Sequence, residues 1–173
     1  AVAHRLAAIA AAAPVERGMT TTRRHIGAAG LRLIRAYEPW SSRPYQHRRG
    51  YLAIGYGSRW RMDSPSPMTR TQAELQLEED CALIALYLDA TLPADLPQHA
   101  FDAVASLCHD VGLLAFEESP LRAAIKSGDR DRAREEWMRF EDRAFGRHPD
   151  GATRRRRHAE KALFGGENPG ADR

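Results

Sequence analysis

The first candidate for chemistry is Glu38, in the string "AYEPW". It ends a segment in which Ile26, Leu31, Ile34 and Tyr37 recur at mostly three- to five-residue spacing, which predicts a helix with one buried face. Pro39 disfavours helical geometry at the residue before it, so the carboxylate falls at that helix's last turn. Beside Tyr37 and Pro39, desolvation favours the neutral carboxyl, the form that can donate a proton. On residue type alone, a surface glutamate at a helix end is the plainer alternative. Nine positions on stands His47. As a neutral imidazole it could hold a water and take its proton, or attack an electrophilic carbon itself. Protonated, it does neither and would hold Glu38 ionised. A solvated strand histidine after "RPYQ" is the alternative without chemistry.

Several elements must position these two groups. Residues 43–62 carry Tyr45, Tyr51, Ile54, Tyr56 and Trp60 with Gly50, Gly55 and Gly57 between them, which predicts a small twisted sheet of two or three strands. After the loop "MDSPSPMT", Thr69 or Thr71 can cap a long helix whose stripe is Leu77, Cys81, Ile84 and Leu88. Its length suits a connector between two lobes, and "LPADLP" ends it. "QHAFDAVASLCHDVGLLAF" is apolar enough to be the central buried helix; "SPLRAAIKSGD", "RDRAREEWMRFEDRAF" and "TRRRRHAEKALF" follow as helices. There is no internal repeat and no glycine-rich phosphate loop.

A chain of 173 residues suits one domain with a sizeable core and is too short for two. Hydrophobic residues at 43% and charged residues at 28% exclude wholesale disorder. A net charge of +3 and a pI near 9.1 favour approach to a polyanion: nucleic acid, anionic lipid or acidic cell-wall polymer. Cys81 and Cys108 lie in apolar segments and read as buried free thiols, which leaves the compartment open. The start, "AVAHRLAAIAAAAP", outlines a weak export signal or, equally, upstream sequence before an independent beginning at Met19. It is too short to span a bilayer. These features divide the chain into an extension over 1–25, a domain over 26–165 and a flexible tail over 166–173.

Five strings, in order, resemble one family. "GLRLIRAYE" is similar to a first helix ending in a catalytic glutamate, and "GYLAIGYG" to the hairpin that follows it. "MTRTQAELQLEED" resembles the start of a connecting helix, "FDAVASLCHDVGLLAFEESPLRAAI" a central helix with its loop, and "RRRRHAEKALF" a final helix. The family is the phage-type lysozymes of glycoside hydrolase family 24. The resemblance implies an α+β, mainly helical, two-lobed fold: a small antiparallel sheet, a long connecting helix and a helical lobe. It also implies that a peptidoglycan strand lies in the cleft, where its bond between N-acetylmuramic acid and N-acetylglucosamine is hydrolysed without metal or organic cofactor. A monomer follows, working in the periplasm or cell-wall space after export or lysis and cytoplasmic before release, without nucleic acid and without an integral membrane segment.

Glu38 then becomes the general acid, since cleavage needs a proton for the departing sugar oxygen and something anionic or basic for the cationic ring or the incoming water. The departures are specific. The family's acidic residue nine positions beyond the glutamate is His47, the threonine six further on is Ala53, the usual histidine after Ile-Gly-Tyr-Gly is Ser58, and the usual glycine after the glutamate is Pro39. The resemblance also implies substrate contacts at Tyr45, Ser58, His109 and Ser119, and an arginine, Arg156, reaching back to the glutamate. His109 has the alternative of a hydrogen-bonded structural histidine. Arg154 to Arg157 could meet polyanions or form one solvated helix turn, and Trp60 and Trp137 could stack on sugars, although Trp137 sits in an apolar stripe and suits the core. The substitutions at 47 and 53 support a rival: a catalytically degenerate lysozyme fold that binds peptidoglycan or regulates a partner. A nucleic-acid module rests on basicity alone and has no recognisable zinc finger or RNA-binding signature.

Overall fold

A computed structural model describes residues 23–59, 67–145 and 150–167. Helix α1 (Ala28–Tyr37) has no side-chain cap of its own. Its free amides are met from another element: the Gly27 and Gly30 N–H groups donate to the Asp102 carboxylate at 2.7 and 3.2 Å. Gly30 permits that approach, because a Cβ there would lie 3.0 Å from the Asp102 Cβ. At the other end Glu38 is the capping residue, its N–H donating to the Ile34 carbonyl at 2.8 Å. The helix thus delivers Glu38 at the point where the chain turns into the sheet.

Strands β1 (Ser41–Gln46) and β2 (Leu52–Gly55) pair antiparallel, with Tyr45 opposite Ala53 and a bulge between Ser41 and Tyr45. The chain then doubles back through Gly57 so that Ser58 bridges Ile54. Two strands are described; Trp60 and residues 61–66 lie outside the described residues.

Helix α2 (Arg70–Thr91) opens on a capping box in which the Gln72 N–H donates to Thr69 Oγ1 and the Thr69 N–H donates to the Gln72 side chain. Thr69 is therefore the cap, and Thr71 lies inside the helix. Leu77, Cys81, Ile84 and Leu88 are all buried, as their spacing predicts. Helix α3 (Gln98–Val111) is central, packed on α1, α2 and the last helix, with Phe101, Val104 and Leu107 fully buried. Side chains of that size contribute about 1.5–3 kcal/mol each when removed from water. Helices α4 (Leu113–Glu117), α5 (Pro120–Lys126), α6 (Arg130–Phe145) and α7 (Gly151–Phe164) complete the helical lobe.

The architecture is α+β and mainly helical, as expected. Cys81 and Cys108 are free and buried, and burial pushes the Cys81 thiol up to about 12 and Cys108 well above its ordinary value, so neither offers a thiolate. Arg24 ties the described N-terminus to Asp89 on α2 at 2.8 Å, and the Gly166 and Glu167 amides close onto Leu163 and Ala162. The segment read as an export signal or as upstream sequence before Met19, and the tail beyond 167, fall outside the described residues. No helix among the described residues is long and apolar enough to cross a membrane.

Candidate active site

Glu38 is 2% exposed and held at both oxygens. Arg156 Nη1, from α7, donates to Oε1 at 2.5 Å, and His47 Nε2 lies 3.2 Å from Oε2. The tautomer of His47 follows from its other nitrogen: the Arg49 N–H donates to Nδ1 at 3.3 Å, so a neutral ring carries its proton on Nε2 and donates it to Glu38. His47 is 4% exposed and stacks on Tyr51 at 4.5 Å between ring centroids. Gly57 closes the pocket from the hairpin side. Its φ of +82° suits glycine, and a Cβ would lie 2.9 Å from Glu38 Oε2.

The charge state differs from the expectation of a neutral carboxyl. Burial raises the Glu38 pKa, but the His47 hydrogen bond and then the Arg156 charge outweigh it and hold the group at about 2. Desolvation was legible from the neighbouring residues; the two partners that reverse its effect come from elsewhere in the fold.

Behind Glu38 lies a buried ionic cluster. Asp110 Oδ1 accepts from Arg48 at 2.6 Å and from Arg49 Nε at 2.8 Å; Oδ2 accepts from Arg49 Nη2 at 2.8 Å and from Arg157. Burial raises the Asp110 pKa, but the Arg156 charge, followed by Arg49 and Arg157, outweighs it and holds the carboxyl far below the usual carboxylate range. Arg49 and Arg157 also pair with Glu141, and Arg156 and Arg157 with Glu160, which accepts from Ser106 Oγ at 2.8 Å. Half of the arginine run is therefore internal: Arg156 is 0% and Arg157 1% exposed, which corrects its reading as one solvated turn. The cluster also latches the hairpin to the helical lobe. Arg48, Arg49 and Arg59, from the hairpin region, all reach Asp110 on α3, Arg59 through the backbone carbonyl at 3.2 Å.

The remaining candidates are distributed around this centre. Tyr45 is half-buried, and its hydroxyl has no hydrogen-bond partner among the described residues; desolvation and the Glu38 charge push it up to about 12. Ala53 is buried opposite Tyr45 and offers no polar side-chain atom. Ser58 is buried near Asp80, whose carboxyl burial pushes up while Ser58 and Gln76 oppose the shift. His109 precedes Asp110 on α3; desolvation and then Arg156 lower its pKa to about 4, leaving it neutral with a buried, unpartnered Nδ1. Ser119 caps α5: its Oγ accepts from the Arg122 N–H and donates to the Phe116 carbonyl. Trp137 is core, its Nε1 donating to Glu160.

Comparison with known proteins fits this geometry. The phage lysozyme family profile matches residues 35–160. The endolysin of Acyrthosiphon pisum secondary endosymbiont phage 1 is 35% identical over 142 residues, covering 81% of this chain and 97% of that protein. The chain belongs to the phage lysozyme family. Another relative, the endolysin of Bacillus phage B103, is 27% identical over 152 residues, and the match spans 86% of this chain and 57% of that endolysin. Among solved structures, the muramidase domain of SpmX from Asticaccaulis excentricus superposes with a TM-score of 0.70 at 28% identity, covering 82% of this chain and 98% of the other.

Within this phage lysozyme fold, Glu38, His47 and Asp110 bring ligand-type atoms within 4.8 Å of one another. A cation gains nothing there, since both Asp110 oxygens are filled by guanidinium donors whose charge repels it. Sequence reasoning missed Asp110, Glu141, Glu160, Arg49 and Arg157. One signal was available: Thr153, Arg156, Arg157, Glu160, Leu163 and Phe164 are all buried, and their spacing is that of one helix face.

Proposed function

We propose that this chain is a muramidase that cleaves peptidoglycan between N-acetylmuramic acid and N-acetylglucosamine, with Glu38 as proton donor. One observation carries the assignment. Glu38 is gripped by Arg156 and His47 through one donor on each oxygen, so two of its acceptor positions remain for a ligand. A donor must first be loaded. A glycan lying over Glu38 strips its remaining water, which favours the neutral form, and the latch of Arg48, Arg49 and Arg59 onto Asp110 must open to admit that glycan. His47 acts here by holding the carboxylate, and the ionised resting state makes activity rise toward acid pH.

The test is release of soluble muropeptides from purified peptidoglycan. The wild-type chain releases them, and Glu38→Gln lowers the rate by at least about 10³, roughly 4 kcal/mol of barrier. A second reading, a peptidoglycan-binding module, draws support from the ionised, covered Glu38. It predicts that wild-type protein and Glu38→Gln sediment equally with cell walls and release nothing.

A further inference from the structure

Resting on the muramidase reading, we infer that His109 is the base that takes a proton from the attacking water, so that Glu38 works from one side of the glycan and His109 from the other. When the glycosidic oxygen departs, an oxygen must reach C1 with its proton removed. A second carboxylate ordinarily does this, either as nucleophile or as base for a water. The residue standing in its sequence position is His47, which donates through Nε2 to Glu38 at 3.2 Å and accepts through Nδ1 from the Arg49 N–H at 3.3 Å.

His109 comes from the opposite wall. Glu38 is enclosed on the hairpin side by His47 and Gly57. His109 lies near the end of α3, three residues after Ser106, whose carbonyl accepts from Arg156 at 2.9 Å, and one before Asp110, which the hairpin arginines hold. A glycan admitted where Arg48, Arg49 and Arg59 leave Asp110 passes between the hairpin and this end of α3, and so between Glu38 and His109. Asp110 is fully buried while the His109 ring is half-buried, which sets the ring at the edge of that gap. Its Nδ1 is buried and has no hydrogen-bond partner among the described residues. A nitrogen kept in that condition costs stability until a water or a ligand meets it.

The electrostatics suit a base. Burial and then the Arg156 charge bring the His109 pKa down to about 4, with Arg59 from the hairpin region acting in the same sense and Glu38 and Asp110 against it. That is the basicity of an ordinary carboxylate, so the ring is neutral and able to accept at any pH above it. Loading Glu38 with its proton weakens the pull toward imidazolium and releasing that proton restores it, so the two transfers assist each other. Ser58 Oγ, also buried without a hydrogen-bond partner, can hold a water but is far too weak a base to take its proton. In the reaction Glu38 gives its proton to the glycosidic oxygen as the C1–O bond breaks, while a water oxygen bonds to C1 from the opposite face and its proton passes to His109 Nδ1. The glycan gains one water, C1 is inverted, and the imidazolium returns its proton through solvent to the Glu38 carboxylate.

Soluble, uncrosslinked glycan strands digested with the full chain and followed by proton NMR test the single displacement, and the first muramic acid ends to appear should be α. First-formed β ends overturn the inference and leave the muramidase reading intact. Release of nothing overturns both. His109→Ala then tests the base itself: kcat should fall by about 10²–10⁴ with KM within about threefold of wild type. Added azide, a nucleophile that needs no base, should restore release and leave an α-azide at C1. His109→Asp, which supplies a base of similar strength, should recover most of the rate without azide. A folded His109→Ala protein of unchanged rate, or a slow one that azide does not rescue, overturns the role given to His109.

Discussion

Two buried carboxylates in one cluster, Glu38 and Asp110, meet opposite fates. Asp110 has four guanidinium donors on its two oxygens, which fills the acceptor capacity of a carboxylate. Glu38 has one donor on each oxygen, one from an arginine and one from an imidazole. The first is a permanent anion at the junction of hairpin and helical lobe. The second is ionised by partners few enough for a ligand to compete with them. Burial alone therefore does not distinguish a structural acid from the proton donor we propose; the number of committed donors does.

The sharpest way to break this contrast is Asp110→Asn. Removing the charge takes one shared buried carboxylate from Arg48, Arg49 and Arg157 together, and breaking buried pairs in this way costs about 3–5 kcal/mol, with Arg49 keeping Glu141 and Arg157 keeping Glu141 and Glu160. Urea denaturation should show that loss for Asp110→Asn and a clearly smaller one for Glu38→Gln, because Arg156 keeps Glu160 and the Ser106 carbonyl. Equal losses would erase the distinction.

Acid titration comes next. His109 is held neutral down to about 4, below its ordinary 6.5, so as pH falls through that interval the unfolded chain binds a proton that the folded one refuses. Glu38 adds to this below 4.5, since its folded value near 2 means that stability present above the unfolded value is lost as the carboxylate protonates. Stability should be level above pH 6.5 and fall by roughly 1–3 kcal/mol on the way to pH 4. His109→Gln should remove the upper part of that fall. A thermal midpoint unchanged across the same interval would contradict the half-buried, uncharged imidazole.

A smaller effect belongs to His47→Ala. The His47 hydrogen bond is the largest influence lowering the Glu38 pKa, so its removal moves the carboxyl up. The descending limb of kcat/KM against pH should move to higher pH, with a gain in rate on that limb. An unmoved limb with a uniformly lower rate would mean that His47 supports the site without tuning Glu38.

The fold was more legible than the charge state for a physical reason. Helix α3 declares itself because its apolar residues are contiguous and burial is what such residues do, and α2 declares its stripe and narrows its cap to Thr69 or Thr71. The place of Glu38 could be read from Pro39 and the apolar period before it. Its two partners, His47 and Arg156, could be named as well; what could not be read is that together they outweigh burial, because that depends on the distances the fold sets between them. Asp102 capping α1 is the same kind of event, a tertiary partner doing what a local residue usually does. Arg157 and Glu160 were hidden by residue type, since charged side chains on a buried stripe look like a solvated face until their partners are known.

Ser119 carries the contrast from carboxylates to hydroxyls, with the smallest expected effect. Its position suggested a substrate contact, yet its Oγ is already engaged twice, accepting from the Arg122 amide at 3.2 Å and donating to the Phe116 carbonyl at 2.7 Å. A hydroxyl so committed behaves like Asp110, whereas the unpartnered Tyr45 hydroxyl behaves like Glu38. Ser119→Ala should therefore cost about 1 kcal/mol of stability, the usual value of a helix cap, with muropeptide release at saturating and limiting substrate both within about twofold of wild type. Tyr45→Phe should do the reverse, raising KM while leaving the unfolding midpoint nearly unchanged, because the lost hydroxyl had nothing to hold. A Ser119→Ala protein with unaltered stability and a raised KM would show that a hydroxyl can cap a helix and still be shared with a glycan, and committed donors would then no longer separate the structural groups from the chemical ones.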